Sequence, residues 1–343
     1  MIKKRIPGSF VSVDVTRRTR KSKFFYQIST VIEWTVFEKE LRKVCKRSIQ
    51  DAAGRPAYNP LVLFKMLLLQ TWYNLSDMGD EDMVNENLAA NAFCGLRVED
   101  TVPDHSTLSR FRSELSEKRA MNRLLKQLNT QLERHGLCIQ PRQGVIIDAS
   151  ITPTDHQPHG KATYVLPDNP NNPPSKETKP GVDPEARWVK KGNKLQYGYK
   201  RHYLSDQQTG LVLSVHTTPA NVHDGQCIAA CLDQVHLPAG SRLLADKGYC
   251  SSKNEDLVRQ RGLRSAIQRK AARNRPLSRW EKRYNVLLGR SRYKIERVFG
   301  SIKRWFGRLS ARYVGLAKTH GQHILEAIAY NLYRLPGIIM SKG

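Results

Sequence analysis

Val145-Ile146-Ile147-Asp148-Ala149-Ser150 is the stretch from which the fold can be read. It opens as a short β-branched run, which favours an extended strand, and ends in a carboxylate. Arg242-Leu243-Leu244-Ala245-Asp246 repeats the pattern later in the chain. A carboxylate at the end of a buried strand is costly to desolvate unless a cation meets it. If the two strands lie side by side, Asp148 and Asp246 come within reach of shared Mg²⁺, which takes oxygen ligands and keeps several waters. Two such ions, about 4 Å apart, suit an in-line phosphoryl displacement because they serve both the attacking and the leaving oxygen. Taken singly, each Asp also fits a plain turn former at a strand end, and spacing leaves both readings open.

Working outward from these strands, Gln196 to Leu204 and Leu211 to Thr217 read as a hairpin closed near Asp206 to Gly210. Tyr197, Tyr199 and Tyr203 favour strand by propensity. Val222 to Val235 reads as a helix, Arg264 to Ile267 as a further strand, and the rest after Ser251 as helical. This order predicts an α/β domain over 141–343, a mixed sheet covered by helices. Within it, residues 156–194 are rich in Pro, Asn and Lys, and the proline density predicts a long loop.

Upstream, residues 56–140 predict an all-helical N-terminal domain. Asn59 can cap, Pro60 suits the first helical position, and Leu61, Phe64, Leu68 and Trp72 recur at helical spacing. Gly95 and Gly136 are good helix stops. Pro103-Asp104 reads as a turn and cap, with Arg110 and Arg112 on the helix that follows. That helix fits either a DNA-reading helix-turn-helix or a plain bundle. Residues 1–55 form a basic, weakly periodic segment. Its run Arg17-Arg18-x-Arg20-Lys21-x-Lys23 fits a phosphate-binding arm as well as a solvated tail.

A third acid stands on a helical stretch, Ser291 to Phe306. At about 100° per residue, Ile295, Val298, Phe299, Ile302 and Phe306 make one apolar stripe. Arg292, Glu296, Gly300 and Lys303 make the neighbouring stripe, so Glu296 is expected at the edge of the core. Gly300 offers room for a close backbone approach. The alternative is a basic amphipathic helix with an intrahelical Arg292–Glu296 pair.

The 57 Lys and Arg against 31 Asp and Glu leave a net charge of +26, which makes a polyanion the first partner to consider. Residues 251–343 alone hold 22 Lys and Arg against 5 Asp and Glu, a net of +17, so most of the excess sits there. The longest apolar run, Leu61 to Trp72, is interrupted by Lys65 and too short to span a bilayer, and no signal-peptide core follows the basic start. A soluble intracellular protein with no membrane partner is the expectation. The six cysteines lack the density of a disulfide scaffold. His223, Cys227 and Cys231, at i, i+4 and i+8 of a helix, would span about 12 Å and so do not suit one zinc ion.

At these residues the sequence resembles bacterial insertion-sequence transposases of the DDE type, and most of all the insertion-sequence-5 family, allied to the insertion-sequence-4 group. The resemblance covers Asn59 to Leu335. It is carried by Asn74-Leu75-Ser76-Asp77, Pro103-Asp104-His105-Ser106-Thr107, Lys190-Lys191-Gly192-Asn193, Tyr197-Gly198-Tyr199-Lys200, Thr218 to Asp224 and Ala245-Asp246-Lys247-Gly248-Tyr249. Arg292, Glu296 and Lys303 fit the allied group's Tyr-x2-Arg-x3-Glu-x6-Lys signature, with Gly289 at the Tyr position. The resemblance implies an RNase H-like catalytic domain with Asp148, Asp246 and Glu296 as catalytic, metal-binding triad for two Mg²⁺ (or Mn²⁺) ions. It implies double-stranded DNA as partner, both transposon ends and target, cut and joined by a two-metal-ion mechanism. It also implies a homodimer on paired ends and a cytoplasmic, nucleoid-associated location in bacteria. Arg292, Lys303, Lys191, Lys200, Arg110 and Arg112 are the expected DNA contacts. Asn221, His223 and Asp224 lie in a matched motif without an assigned role, His223 being suited to order the turn into the next helix. The rival readings are a catalytically inactive, transposase-derived DNA-binding protein and a stand-alone RNase H-like nuclease.

Overall fold

The computed structural model describes residues 19–45, 57–139, 144–160, 164–165, 175–176, 179–307 and 310–340. The N-terminal part is helical: α1 (Arg20–Val31), α2 (Trp34–Val44), α3 (Pro60–Tyr73), α4 (Asp77–Glu86), α5 (Leu88–Cys94), α6 (His105–Glu117) and α7 (Ala120–Arg134). The caps follow the sequence. Asn59 accepts from the Leu61 amide, Pro60 opens α3, Asp104 accepts from Thr107 N at 2.6 Å, and Gly95 ends α5 in the left-handed region. Helix α3 is buried almost all round, so its greasy run is a core helix. Lys65 inside it donates to Phe93 O at 2.8 Å, which satisfies the buried ammonium. The expectation for residues 1–55 needs correction, because α1 and α2 bury Phe25, Ile28, Trp34, Phe37 and Leu41 in the core. Arg17 and Arg18 of the basic run lie outside the described residues.

The sheet is built from β1 (Gly144–Pro153), β4 (Arg187–Lys191), β5 (Lys194–Asp206), β6 (Val212–Pro219), β7 (Arg242–Ala245) and β8 (Arg264–Ile267), with β2 (Tyr164–Val165) and β3 (Ser175–Lys176) a separate two-stranded pair. β5 pairs antiparallel with β1 and β6, while β7 and β8 continue from β1 in parallel. β4 also pairs antiparallel with β5, so four antiparallel strands extended by two parallel ones, with helices on the faces, make this an RNase H-like mixed sheet. β1 does not end at Asp148 but runs on to Pro153, held by β5. The parallel crossovers carry α8 (Ile228–Leu232) and α9 (Ser252–Gln260), then α10 (Arg279–Phe306) and α11 (Leu316–Met340) follow.

Two expected boundaries shift. The loop of 156–194 is interrupted at its end by β4 and the start of β5, because its last proline is Pro184 and Gly192, at φ +60, supports a two-residue hairpin turn. The helix expected over Val222 to Val235 is a 3-10 turn, Asp224–Gln226, followed by the short α8. Tertiary packing of Cys227, Ile228, Cys231 and Leu232 against β5 and β6 sets those limits, which also keeps the two thiols in the core.

One hydrophobic cluster runs from Phe25 to Ile338, so the N-terminal helices and the sheet share a core. Helix α11 joins them. It lies on β6 and touches α1, α3, α6 and α7, and Trp72 Nε1 donates to Ala329 O at 3.0 Å. The fully buried Arg201 of β5 pairs with Glu326 of α11 at 2.6 Å. Gly198 is needed at its position, since a Cβ there would stand 2.3 Å from Thr152 O.

Candidate active site on three neighbouring strands

The register of the parallel strands assembles the site. Ile146 is level with Leu244, so two more residues along each strand bring Asp148 level with Asp246. Ala245 is level with Ile267, so the next residues, Asp246 and Gln268, are also level. Three oxygen-bearing side chains therefore stand in a row on neighbouring strands. Helix α10 lies across β1 and β7 and reaches this row with Arg292. Its guanidinium meets Asp148 Oδ2 at 3.2 Å, Asp246 Oδ2 at 3.6 Å and Gln268 Oε1 at 3.2 Å. One guanidinium thus faces both acids.

The electrostatics agree. Burial pushes the Asp148 carboxyl up from its ordinary value, against the opposing pull of Arg292 and the Ala149 amide, and Asp246 adds to the rise. A buried Asp148 with a second carboxylate beside it calls for positive charge, and a set of hard oxygens suits Mg²⁺ or Mn²⁺. On donor chemistry these residues fit the metal. Glu296 sits one turn beyond Arg292 on α10 and is exposed. Among the described residues, no group of three Asp, Glu, His or Cys side chains is close enough to hold a metal ion. The structure thus brings Asp148 and Asp246 together around Arg292 and leaves Glu296 outside that contact. The intrahelical Arg292–Glu296 pair does not form, because Arg292 is turned to the strands.

Local turns brace the second acid. Asp246 caps the 3-10 turn Lys247–Tyr249 by accepting from Gly248 N at 2.8 Å. Asn254 donates to Gly225 O at 2.9 Å and Tyr249 O at 2.8 Å, which ties this turn to the turn holding Asp224. His223 accepts from Gly225 N at 3.2 Å and so orders its own turn, while Asn221 is exposed beside it. Lys200 pairs with Asp224 at 2.8 Å and donates to Val222 O, so it holds this turn and is only 12% exposed.

The other expected DNA contacts divide. Lys303 is half-buried, and its ammonium is pulled down by burial and by the neighbouring charges of Arg201 and Lys191. Lys191 is exposed on the β4–β5 turn, so two lysines converge beyond Glu296. Arg110 is exposed on α6 and donates only weakly to Ser106 and Thr107. Arg112 is the correction: it forms a bidentate pair with Asp77, 2.7 Å on each arm, and stacks on Tyr313, so it braces the bundle and is not offered to phosphate. Gly300 has no atom within 4 Å of the place where a Cβ would stand, so no backbone among the described residues approaches it. Trp188 packs on Tyr197 with ring centroids 5.1 Å apart and stays 40% exposed.

Sequence reading missed Gln268 and Asn254. The available signal for Gln268 was its place just after β8, which matches that of Asp246 after β7. At Gly289, the signature's Tyr position, a Cβ would stand 3.8 Å from Gln268 Nε2.

Comparison with known proteins adds the following. The family model described as Transposase DDE domain matches residues 139–332, and one described as Transposase domain (DUF772) matches residues 13–114. The transposase for insertion sequence element IS1106 of Neisseria meningitidis serogroup B is 34% identical over 225 residues, covering 66% of this chain and 76% of that protein. Among solved structures, the piggyBac transposase synaptic complex with hairpin DNA aligns with TM-score 0.42 and 12% identity, over 96% of this chain and 77% of that one. A pre-cleavage Mos1 transpososome aligns with TM-score 0.22 and 9% identity, over 84% and 99% respectively.

Proposed function

The chain belongs to the DDE transposase family, and on that premise we propose that Asp148, Asp246 and Glu296 are its metal-binding triad. The family's activity is metal-dependent cleavage of DNA and transfer of the cut strand. Two bound Mg²⁺ or Mn²⁺ ions supply activation of the attacking oxygen and stabilisation of the leaving oxygen. Asp148 and Asp246 would hold those ions from neighbouring strands, with Glu296, one turn beyond Arg292 on α10, as the third acid. The observation that carries this reading is the single guanidinium shared by Asp148 and Asp246, which marks a site that demands a cation.

Arg292 and Lys303 flank Glu296 on one stripe of α10 and position phosphates on either side of the cut. Lys191 extends that track, and Arg110 adds a separate exposed cation. Lys200 acts indirectly by fixing the Asp224 turn against the Asp246 turn. The DNA is double-stranded, first the element's own ends and then the target, and a homodimer pairs the two ends. Membership of the insertion-sequence-5 family and a place on the bacterial nucleoid belong to the same proposal. No helix among the described residues is long and apolar enough to cross a membrane.

The test is cleavage of the gene's own flanking DNA with Mg²⁺ or Mn²⁺, measured beside binding. Parent protein should nick at the element's ends, and Asp148→Ala, Asp246→Ala and Glu296→Ala should bind this DNA and not cut it. Binding without cutting by the parent would favour a transposase-derived DNA-binding protein. Cutting without preference for ends would favour a general nuclease. Mg²⁺-dependent cutting by Asp246→Ala would remove Asp246 from the site.

A further inference from the structure

Helix α10 has a second basic flank. Its Lys294, Arg297, Ser301 and Trp305 lie roughly 100–180° around the helix from Glu296, at about 100° per residue. They line a cavity of about 100 Å³ whose opposite wall is the β5–β6 turn and α11, including Thr209 and Arg334. No acidic side chain lines this cavity, and Lys294, Arg297 and Arg334 form no ion pair among the described residues. Arg334 donates to Thr209 O at 3.2 Å, and its Nε is buried without a partner. A buried donor left unpaired beside two further cations calls for an anionic acceptor with several oxygens. Trp305 forms part of the wall, 37% exposed and stacked on Tyr330 at 5.9 Å.

We infer that this cavity binds a phosphodiester group of DNA, held by Lys294, Arg297 and Arg334, on a track separate from the one at the cut. The inference rests on the DNA-processing reading above and adds a site to it. Three cations and the Ser301 hydroxyl match the oxygens of a phosphate, and arginine can grip two of them at once. Trp305 offers an amphipathic surface to the adjoining sugar or base. Polymeric DNA is favoured over a small anion because the cavity is open along a helix whose other flank also carries cations. Since α10 is about 10–12 Å across with its side chains, a phosphate here is not one beside Asp148 and Asp246.

The test measures binding of full-length protein to duplex DNA across a salt series. Lys294→Gln/Arg297→Gln should make the slope of log K against log salt shallower by about 0.9, the amount for one phosphate no longer neutralised. Arg297→Lys should keep the parent slope. Both positions line an open flank of α10, and circular dichroism checks that the variants are folded. As a second readout, duplex DNA should quench a part of the tryptophan emission that Trp305→Phe removes. An unchanged slope in the folded double variant overturns the inference, even if the parent binds and cuts DNA. Quenching of Trp305 by inorganic phosphate but not by duplex DNA overturns the assignment to DNA. If the parent does not bind duplex DNA at all, the functional reading itself fails.

Discussion

Replacing Arg292 by Gln removes the one cation that stands between Asp148 and Asp246. The contact to Asp148, at 3.2 Å, is a charge-assisted hydrogen bond between side chains only 13% and 19% exposed. Such a bond contributes about 1.5–3 kcal/mol. The 3.6 Å contact to Asp246, itself 35% exposed, is too long and too wet to count as a second one. Any metal ion entering between these acids competes with the guanidinium, so Arg292 weakens metal binding in the absence of DNA. Converting the one strong contact gives about a 10–100-fold effect. Arg292→Gln should therefore bind Mn²⁺ about 10–100-fold more tightly than the parent when no DNA is present, by calorimetry or by the Mn²⁺ resonance signal. The variant should also have a lower Tm without metal and a larger rise in Tm on adding Mn²⁺. On end DNA it should bind and cut more weakly, since its phosphate contact is gone. Equal or weaker Mn²⁺ affinity in a folded Arg292→Gln protein would refute the reasoning, because the guanidinium would then not be occupying the metal position.

Three further outcomes follow from buried charges. Glu326→Ala should destabilise the protein by about 3–5 kcal/mol in a denaturant titration, because it strands the fully buried Arg201; a change below about 1 kcal/mol would mean that water reaches Arg201. Asp80 is buried with both carboxylate oxygens unpaired, and burial pushes its carboxyl up to about 8, with Asp77 adding to the rise. A raised carboxyl lends its full stability below its unfolded value and loses it as pH rises toward 8. Asp80→Asn should thus be close to the parent in stability near pH 4 and more stable than the parent at pH 9, by at most about 5–6 kcal/mol; equal pH profiles would contradict the buried neutral acid. Arg112→Ala should cost about 2–3 kcal/mol by removing the Asp77 pair while DNA affinity and its salt slope stay at the parent values. A shallower slope in that variant would return Arg112 to the DNA surface.

Much of the fold was legible because its signals are local. The apolar runs before Asp148 and Asp246, the hairpin tyrosines and the stripe from Ile295 to Phe306 are patterns of neighbouring residues, and each became the strand or buried face expected. Asn59, Asp104 and Gly95 serve their own helix ends, so no tertiary knowledge was needed to read them. Elements whose extent depends on packing were read less well. β1 continues past Asp148 because β5 pairs with it to Pro153. Helix α2 carries its own amphipathic signal, with Trp34, Phe37, Leu41 and Val44 on one buried face, and the basic character of the segment masked it. The Val222 to Val235 helix was overextended because Lys200, far away in sequence, anchors the Asp224 turn.

The candidate site divides in the same way. The sequence by itself determined which carboxylates could serve, since a strand-end Asp and a Glu beside an apolar stripe are written in residue order. It also determined the basic surface, because charge is a sum over residues and needs no geometry. Only the tertiary structure decided which cation meets which acid. Arg292 has Glu296 one turn away on its own helix, and local spacing favours that pair. It turns instead to Asp148, Asp246 and Gln268, because the buried Asp148 gains more from a cation than an exposed glutamate does. The same accounting sends Arg112 inward to Asp77 and leaves Arg297 on the open flank. Burial decides the partner of a charge, and burial is a property of the assembled fold, not of the order of residues.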